Sequence, residues 1–438
     1  MKQIGRYQII RKLGKGGMGS VFKGIVPIID KVVAIKLLDP FETMLDILGI
    51  DKLKEIFLYE AQTMASLRHP SIVQVWDYDD DDQGRPFIVM EYLCNNLGDM
   101  IGENFLVEES SRIIQPEKVI DYGHQILAGL SYLHHNGIVH RDIKPFNILV
   151  ADDDAIKICD FGMALVEGVS FSGPSMMQIG SPYYTPPEQS RDPQQVDGRA
   201  DLFATGVLLY RMLTGKLPGM QSFSLSMVNP LYDQEWDDFF SKSMNWNPDE
   251  RYESAIAMQL ALTNLHLNWQ AQQKPPNQEP IADQQPITLR SEPVNICGSK
   301  AATLFAVNTL FRPHLEITNT LHQEQETIHD HTTSLMWQQG GSEYPVSWQE
   351  GLNYVEKLNR ASFAGSRTWR LPTVNELLSL FAALTTQSAT SGFDPFKNRM
   401  WSCDSHGHHE RWYVNFAMGY AGNQDMNCFN YVRAVCSI

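Results

Sequence analysis

No run of about 20 consecutive apolar residues occurs anywhere in the 438 residues, so the sequence offers no bilayer-spanning helix. The first residues also lack the apolar segment of a secretory signal. The six cysteines (Cys94, Cys159, Cys297, Cys403, Cys428 and Cys436) never form a C-x-x-C pair, which argues against zinc ribbons and dithiol redox motifs. Reduced thiols and a cytoplasmic location are the expectation, with no membrane partner; a disulfide among Cys403, Cys428 and Cys436 is the alternative for an exported chain. Positive charge is scarce. Lys and Arg number 35 against 51 Asp and Glu, a net charge of −16. Nucleic-acid binding needs clustered basic residues, so it is not expected. The deficit is uneven, with 23 Lys and Arg facing 36 Asp and Glu in residues 1–268. Such a surface suits basic protein partners, although acidity also simply keeps a chain in solution.

What is present is an ordinary globular mixture, 43% hydrophobic and 20% charged, long enough for two domains. Residues 7–38 read as strands with a glycine-rich turn after the first. Residues 41–67 carry one helical apolar pattern (Leu45, Leu48, Leu53, Ile56, Leu67). Ile72–Asp77 and Phe87–Tyr92 read as strands joined by a solvated Asp79–Asp82 turn. From Pro116 onward helical patterns dominate. Strands first and helices afterwards predict an α+β, two-lobed first domain over 1–269. Residues 270–299 are rich in Gln and Pro and read as an extended linker. A second domain is expected over 300–438; no internal repeat is visible.

Four motifs carry chemistry. Gly14, Gly16 and Gly19, followed by Val21, form G-x-G-x-x-G-x-V between two strands. A dinucleotide loop would instead join a strand to a helix, so this one suits a hairpin lid over phosphates. Val33-Ala34-Ile35-Lys36 places a lysine inside an apolar strand, costly unless paired, and Glu60 on the next helix is the natural partner. His140-Arg141-Asp142-Ile143-Lys144-Pro145-Phe146-Asn147 matches H-R-D-x-x-x-x-N, and Asp160-Phe161-Gly162 follows.

In this order and spacing the motifs resemble a bacterial Hanks-type serine/threonine protein kinase over residues 7–267. The resemblance implies a bilobal kinase fold, ATP and Mg²⁺ (or Mn²⁺) as cofactors, and protein substrates. It implies that Lys36 contacts the α- and β-phosphates and pairs with Glu60. Asp142 would be the catalytic base, Lys144 would steady the γ-phosphate, and Asn147 and Asp160 would hold the metal. Val21, Ala34 and Leu149 would sandwich adenine, with Met90 as gatekeeper and Glu91–Leu93 as hinge. His140, Phe161 and Met64 would stack between the lobes. Glu188 would pair with Arg251, and Asp201 would brace the catalytic loop. Arg141 suggests control by phosphorylation at Ser170, Ser172, Ser175 or Ser181. Ser181 and Pro186 depart from the family's activation-loop pattern, and the region after Leu217-Pro218 is short. These departures are the support for an alternative, a nucleotide-gated binding scaffold.

In the second domain, Leu335-Met336-Trp337 and Trp369-Arg370-Leu371-Pro372-Thr373 resemble the DUF1566 or Lcl C-terminal family, which implies a smaller C-type-lectin-like mixed α/β fold. Formylglycine-generating enzymes share that fold class, but Cys428 and Cys436 suit their chemistry poorly. Thr373 reads as a helix N-cap. Residues 402–431 interleave framework positions with Ser405, His406, His408, His409, Tyr413, Asn415, Tyr420, Asn423, Gln424, Asp425, Asn427, Asn430 and Tyr431. This reads either as a recognition surface for an unknown ligand or as a solvated face. The pattern is also similar to variable proteins diversified by retroelements. His406, His408 and His409 could bind zinc or nickel.

Overall fold

In the computed structural model, the described residues are 3–103, 109–162, 164–166, 183–193, 195–218, 224–272, 287–385, 392–394 and 397–438. The chain divides into two compact units, Met1–Gln273 and Lys274–Ile438. Among the described residues no helix is long and apolar enough to cross a membrane. Cys159, Cys297, Cys403 and Cys436 are free thiols.

The first unit opens with an antiparallel sheet built from β1 (Gln3–Ile4), β2 (Tyr7–Lys15), β3 (Gly19–Val26), β4 (Lys31–Leu38), β5 (Val75–Asp80) and β6 (Pro86–Glu91), in the order β1-β2-β3-β4-β6-β5. The period of two along β4 decides what this sheet can do. Val33, Ile35 and Leu37 join Tyr7, Phe87 and Val89 in a buried cluster, while Ala34 and Lys36 take the opposite face. Register puts Val21 opposite Lys36, and both Lys23 and Met90 opposite Ala34, so these side chains share that second face. The Asp79–Asp82 stretch closes the β5–β6 hairpin, with the Asp81 carboxylate accepting from Arg85 Nη2 at 2.7 Å. The β-structure around Ile72 is only an isolated bridge to Ile158; the strand proper begins at Val75.

The single helix expected over 41–67 is two, α1 (Glu42–Leu48) and α2 (Ile50–Ser66). Gly49 separates them at φ 74°, a left-handed value that glycine takes without strain. The apolar period ran through the break and hid it. Along α2, Leu53, Ile56, Phe57, Glu60 and Met64 form one buried stripe, which delivers Glu60 inward.

The remainder of the unit is mainly helical. It comprises β7 (Asn95–Asn96), α3 (Leu97–Ile101), α4 (Pro116–His135), β8 (Ile138–Val139), β9 (Ile148–Val150), β10 (Ile156–Ile158), β11 (Leu165–Val166), α5 (Pro187–Arg191), α6 (Arg199–Thr214), α7 (Leu225–Val228), α8 (Gln234–Ser243) and α9 (Ala255–Gln272). Pro116 starts α4 at a position where its missing N–H is harmless. Almost every residue of α6 from Ala200 to Thr214 is buried, so it is the axis on which the other helices pack.

The second unit holds α10 (Gly298–Phe305), β12 (Leu321–Glu324), β13 (Thr327–Asp330), β14 (Leu335–Gln338), α11 (Trp348–Arg360), α12 (Val374–Ser379), α13 (Phe381–Thr385), β15 (Arg399–His406), β16 (Glu410–Asn415), β17 (Tyr420–Asp425) and β18 (Val435–Ser437). It is mixed α and β, with antiparallel sheets ordered β12-β13-β14-β18 and β15-β16-β17. Trp337, Leu377, Met400, Trp412 and Val414 lie in its core. Ser347 and Thr373 each make a reciprocal capping box, with Glu350 and Glu376 respectively. The helix that Thr373 caps, α12, ends at Leu380, and α13 follows it.

Residues 287–297, read from composition as linker, are packed into this unit. Arg290 donates to both oxygens of the buried Asp404, at 2.9 and 2.7 Å, and Asp404 also accepts the backbone N–H of Val294 and Val374. A polar, proline-rich segment looks solvated when its carboxylate partner lies more than a hundred residues away.

Candidate active site

The site grows from the face of β4 that carries Lys36. Its ammonium lies 2.6 Å from Glu60 Oε1 and 2.9 Å from Asp160 Oδ1. Burial alone would pull the Lys36 pKa down, but the two carboxylates overcome it and hold the ammonium firmly charged. Lys36 in turn depresses Asp160 to about 2 against the opposing effect of burial. Burial raises Glu60, with Lys36 opposing.

The segment between β8 and β9 supplies a second cluster. Asp142 Oδ2 accepts from Lys144 Nζ at 2.7 Å and from Asn147 Nδ2 at 2.9 Å, and Asn147 Nδ2 also reaches the Asp142 carbonyl at 2.8 Å. The backbone N–H of Cys159 donates to the Asn147 carbonyl at 3.0 Å, which sets Asp160 beside this cluster. Arg141 and Asp160 both adopt positive φ, 63° and 65°. Side chains other than glycine are held there only by their surroundings. Asp201 is one such restraint: its oxygens accept the backbone N–H of His140 at 2.9 Å and of Arg141 at 2.8 Å. Burial would raise Asp201, but hydrogen bonding and charge from His134, together with His140, bring it below the ordinary carboxylate range. The His140 ring meets Phe161 edge-on at 5.0 Å, and Met64 is buried.

The glycine loop is tied at its tip. Ser20 Oγ donates to Asp39 at 2.6 Å, Lys15 pairs with the same carboxylate at 3.1 Å, and the Gly17 and Met18 carbonyls accept from Phe41 and Asp39. Gly19 cannot carry a side chain, since a Cβ there would lie 2.5 Å from the Leu37 carbonyl oxygen. Met18 reaches down to Gly162. Leu149 sits on β9 opposite Lys157, whose ammonium binds Glu91 at 2.9 Å, so the Glu91 carboxylate is turned towards Lys157 and only its backbone is left for hinge duty. Leu93 follows β6 and is half-buried.

A divalent cation fits the donor set. Asp160 spends Oδ1 on Lys36 and Asn147 spends its amide nitrogen on Asp142, which leaves Asp160 Oδ2 and Asn147 Oδ1 without a protein partner among the described residues. Two hard oxygens and no nitrogen or sulfur suit magnesium, which takes its remaining ligands from water and phosphate.

Further down the lobe, Arg251 donates to both oxygens of Glu188 at 2.6 and 2.9 Å. Arg141 is buried and donates to the Pro193 carbonyl at 2.7 Å, a contact that competes with the phosphate pairing expected of it. Ser170, Ser172, Ser175 and Ser181 lie outside the described residues. Sequence reasoning missed three contributors: His134, whose Nε2 donates to Asp201 at 2.9 Å; Gln189, which donates to the Arg141 carbonyl at 2.7 Å; and Glu103, which accepts from Tyr184 at 2.9 Å and pairs with Arg211 at 2.7 Å. Each partner is at least 48 residues away, so no local motif announces them.

In the second unit the proposed histidine metal cluster does not assemble. His406 Nδ1 is bound to Glu410 at 2.9 Å, His408 and His409 are exposed on a turn, and no three His, Cys, Asp or Glu residues among those described are arranged to hold a metal. Of the expected recognition face, Tyr413, Asn415, Tyr420, Gln424, Asp425 and Asn430 are buried, while His408, His409, Asn423 and Asn427 are exposed.

Residues 7–272 match the protein kinase domain family, and residues 326–436 match the Lcl C-terminal domain family. A probable serine/threonine-protein kinase of Streptomyces coelicolor is 35% identical over 278 residues, covering 58% of this chain and 39% of that protein. Serine/threonine-protein kinase PrkC of Bacillus subtilis is 32% identical over 272 residues, covering 58% and 40% respectively. PknL of Mycobacterium tuberculosis is 31% identical over 267 residues, covering 58% and 64%. The chain thus spans well under half the length of the first two.

Proposed function

The chain belongs to the protein kinase family, and from that premise we propose that it transfers the γ-phosphoryl group of ATP to serine or threonine hydroxyls of protein substrates. The observation that carries this reading is the pair of bonded clusters, Lys36 with Glu60 and Asp160, and Asp142 with Lys144 and Asn147, tied together by the Cys159 N–H on the Asn147 carbonyl next to Asp160. Lys36, fixed by two carboxylates, orients the α- and β-phosphates. Asp142 accepts the proton of the substrate hydroxyl as its oxygen bonds to phosphorus and the bond to the ADP oxygen breaks. Lys144, already beside Asp142, meets the γ-phosphoryl oxygens. Asn147 and Asp160 would hold magnesium, which supplies charge neutralisation on the phosphates. The glycine loop at Gly14, Gly16 and Gly19 covers the phosphates, and Val21, Ala34 and Leu149 enclose adenine beside the hinge at Glu91–Leu93. Positioning and electrostatics do most of the work.

The second unit, in this reading, is a C-type-lectin-like recognition domain that recruits a partner in the cytoplasm. Tethering raises a partner's local concentration to roughly millimolar for a short linker. The exposed His408, His409, Asn423 and Asn427 are its contact candidates, in a segment with the residue pattern of retroelement-diversified proteins. A nearby near-copy of the coding segment, differing at adenines, is the observation that tests diversification. Labelled ATP with magnesium and a basic generic protein tests the catalysis: wild type labels the substrate and Asp142→Asn does not. Equal labelling by both, or none by wild type, removes the reading.

A further inference from the structure

We propose that a cavity in the first unit, away from the nucleotide cleft, is a binding site for small aromatic cations and communicates with the catalytic loop. The cavity, of about 710 Å³, opens between α4, residues 197–199 and the start of α9, with His69 contributing from the loop after α2. That volume suits a small organic ligand. Its α4 wall is one helical face, because Ala128, Ser131, Tyr132 and His135 follow at i, i+3, i+4 and i+7. Tyr132 is stacked on His69 with ring centres 5.2 Å apart and planes 24° from parallel. Ile256, on α9, adds an apolar surface that is 56% exposed. These flat and apolar walls suit an aromatic ring.

Charge selects the sign of the ligand. Arg199 is the permanently charged cation of a lining that also holds His69, His134 and His135, and it is already engaged by Asp197 and by Asp249 at 2.8 Å. The exposed Glu253 carboxylate lines the same cavity and makes no hydrogen bond or ion pair among the described residues. An aromatic cation therefore finds a carboxylate without a competitor and electron-rich rings beside it.

The cavity also touches two parts of the active-site scaffold. His134 lines it and donates to Asp201, which holds the backbone N–H groups of His140 and Arg141. The His134 ring packs so closely on residue 198 that a Cβ there would lie 2.6 Å from it, so only glycine fits against the ring. His69 accepts the Ser71 N–H at 3.1 Å and so shapes the loop that follows α2, the helix of Glu60. A ligand wedged between these groups biases both, and coupling of this kind is reciprocal. The coupling rests on the kinase reading; the binding does not.

The test is a saturation-transfer NMR titration of the full chain with benzamidine, with benzoate as the matched anion. Benzamidine should saturate with a Kd on the order of 1 mM, the range open to so small a ligand. Benzoate should bind at least about tenfold more weakly. Ser131→Trp, which fills the cavity, should abolish benzamidine binding; Glu253→Gln, a surface change that spares the fold, should weaken it about fivefold or more. Saturating ATP and magnesium should shift the benzamidine Kd at least about twofold. The site is overturned if wild type gives no saturable signal, if benzoate binds equally well, or if both variants bind like wild type. An unshifted Kd with ATP bound overturns the coupling. Failure of ATP to bind at all would instead overturn the kinase reading, and the variants would still decide the site.

Discussion

Arg251 and Glu188 form a two-pronged ion pair, 2.6 and 2.9 Å, in which the arginine side chain is fully buried and the carboxylate is a quarter exposed. The arginine also donates to the carbonyls of Asn245 and Arg199, so it joins three segments of the helical lobe. Removing the carboxylate strands a buried guanidinium. Glu188→Ala should destabilise the first unit by about 3 kcal/mol, as for other broken buried pairs. The first unit's transition in urea unfolding of the full chain measures it; an unchanged midpoint would show the pair to be dispensable.

Acid should loosen the active-site scaffold in a defined window. Asp160 is held at about 2, and Asp201 is also held low, so both stabilise the fold above the ordinary aspartate value near 3.8. For Asp160 that contribution falls away as pH drops from about 3.8 to about 2, and for Asp201 it falls away below about 3.8. Glu60, raised by burial, acts with opposite sign and above its ordinary value near 4.5, so the two effects occupy separate ranges. Unfolding midpoints between pH 5 and 2 should show the loss, and Asp160→Asn should flatten it. An Asp160→Asn slope as steep as wild type would contradict the assignment.

His134 reaches the 140–147 loop through Asp201. His134→Phe should therefore lower kcat about tenfold and raise the KM for ATP by less, about two- to threefold, because Lys36, Glu60 and the glycine loop are untouched while the loop carrying Asp142, Lys144 and Asn147 loses a restraint. Steady-state kinetics at saturating protein substrate separate the two. A rise in KM with kcat unchanged would place His134 elsewhere in the mechanism.

Which parts of this molecule are legible in the sequence follows from distance along the chain. Asp142, Lys144 and Asn147 sit within six residues and form one bonded cluster, so a local motif announces them. Lys36 and Glu60 are readable because a strand of period two and a helix stripe both point inward. His134, Gln189 and Glu103 act on partners at least 48 residues away and leave no local trace. Gly49 splits α1 from α2 without interrupting the apolar period. Arg290 shows the reverse error: its surroundings look solvated, yet it meets the buried Asp404.

The second unit depends on its capping boxes. Thr373 Oγ1 donates to the Arg290 carbonyl and accepts the Glu376 N–H, so it also fastens the incoming segment to α12. Thr373→Val should cost about 1–2 kcal/mol, at the upper end for a cap because the site is buried. The second unit's melting transition should fall while ATP affinity is unchanged. A fall in ATP affinity would show that the cap's role reaches beyond its own unit.

The most direct measurement is nucleotide affinity and phosphoryl-transfer rate on one preparation of Asp142→Asn beside wild type. A base that touches the substrate hydroxyl and not the nucleotide predicts an ATP Kd within about threefold of wild type and a rate lower by about 10²–10⁴. Transfer at the wild-type rate with ATP bound equally well would contradict the account.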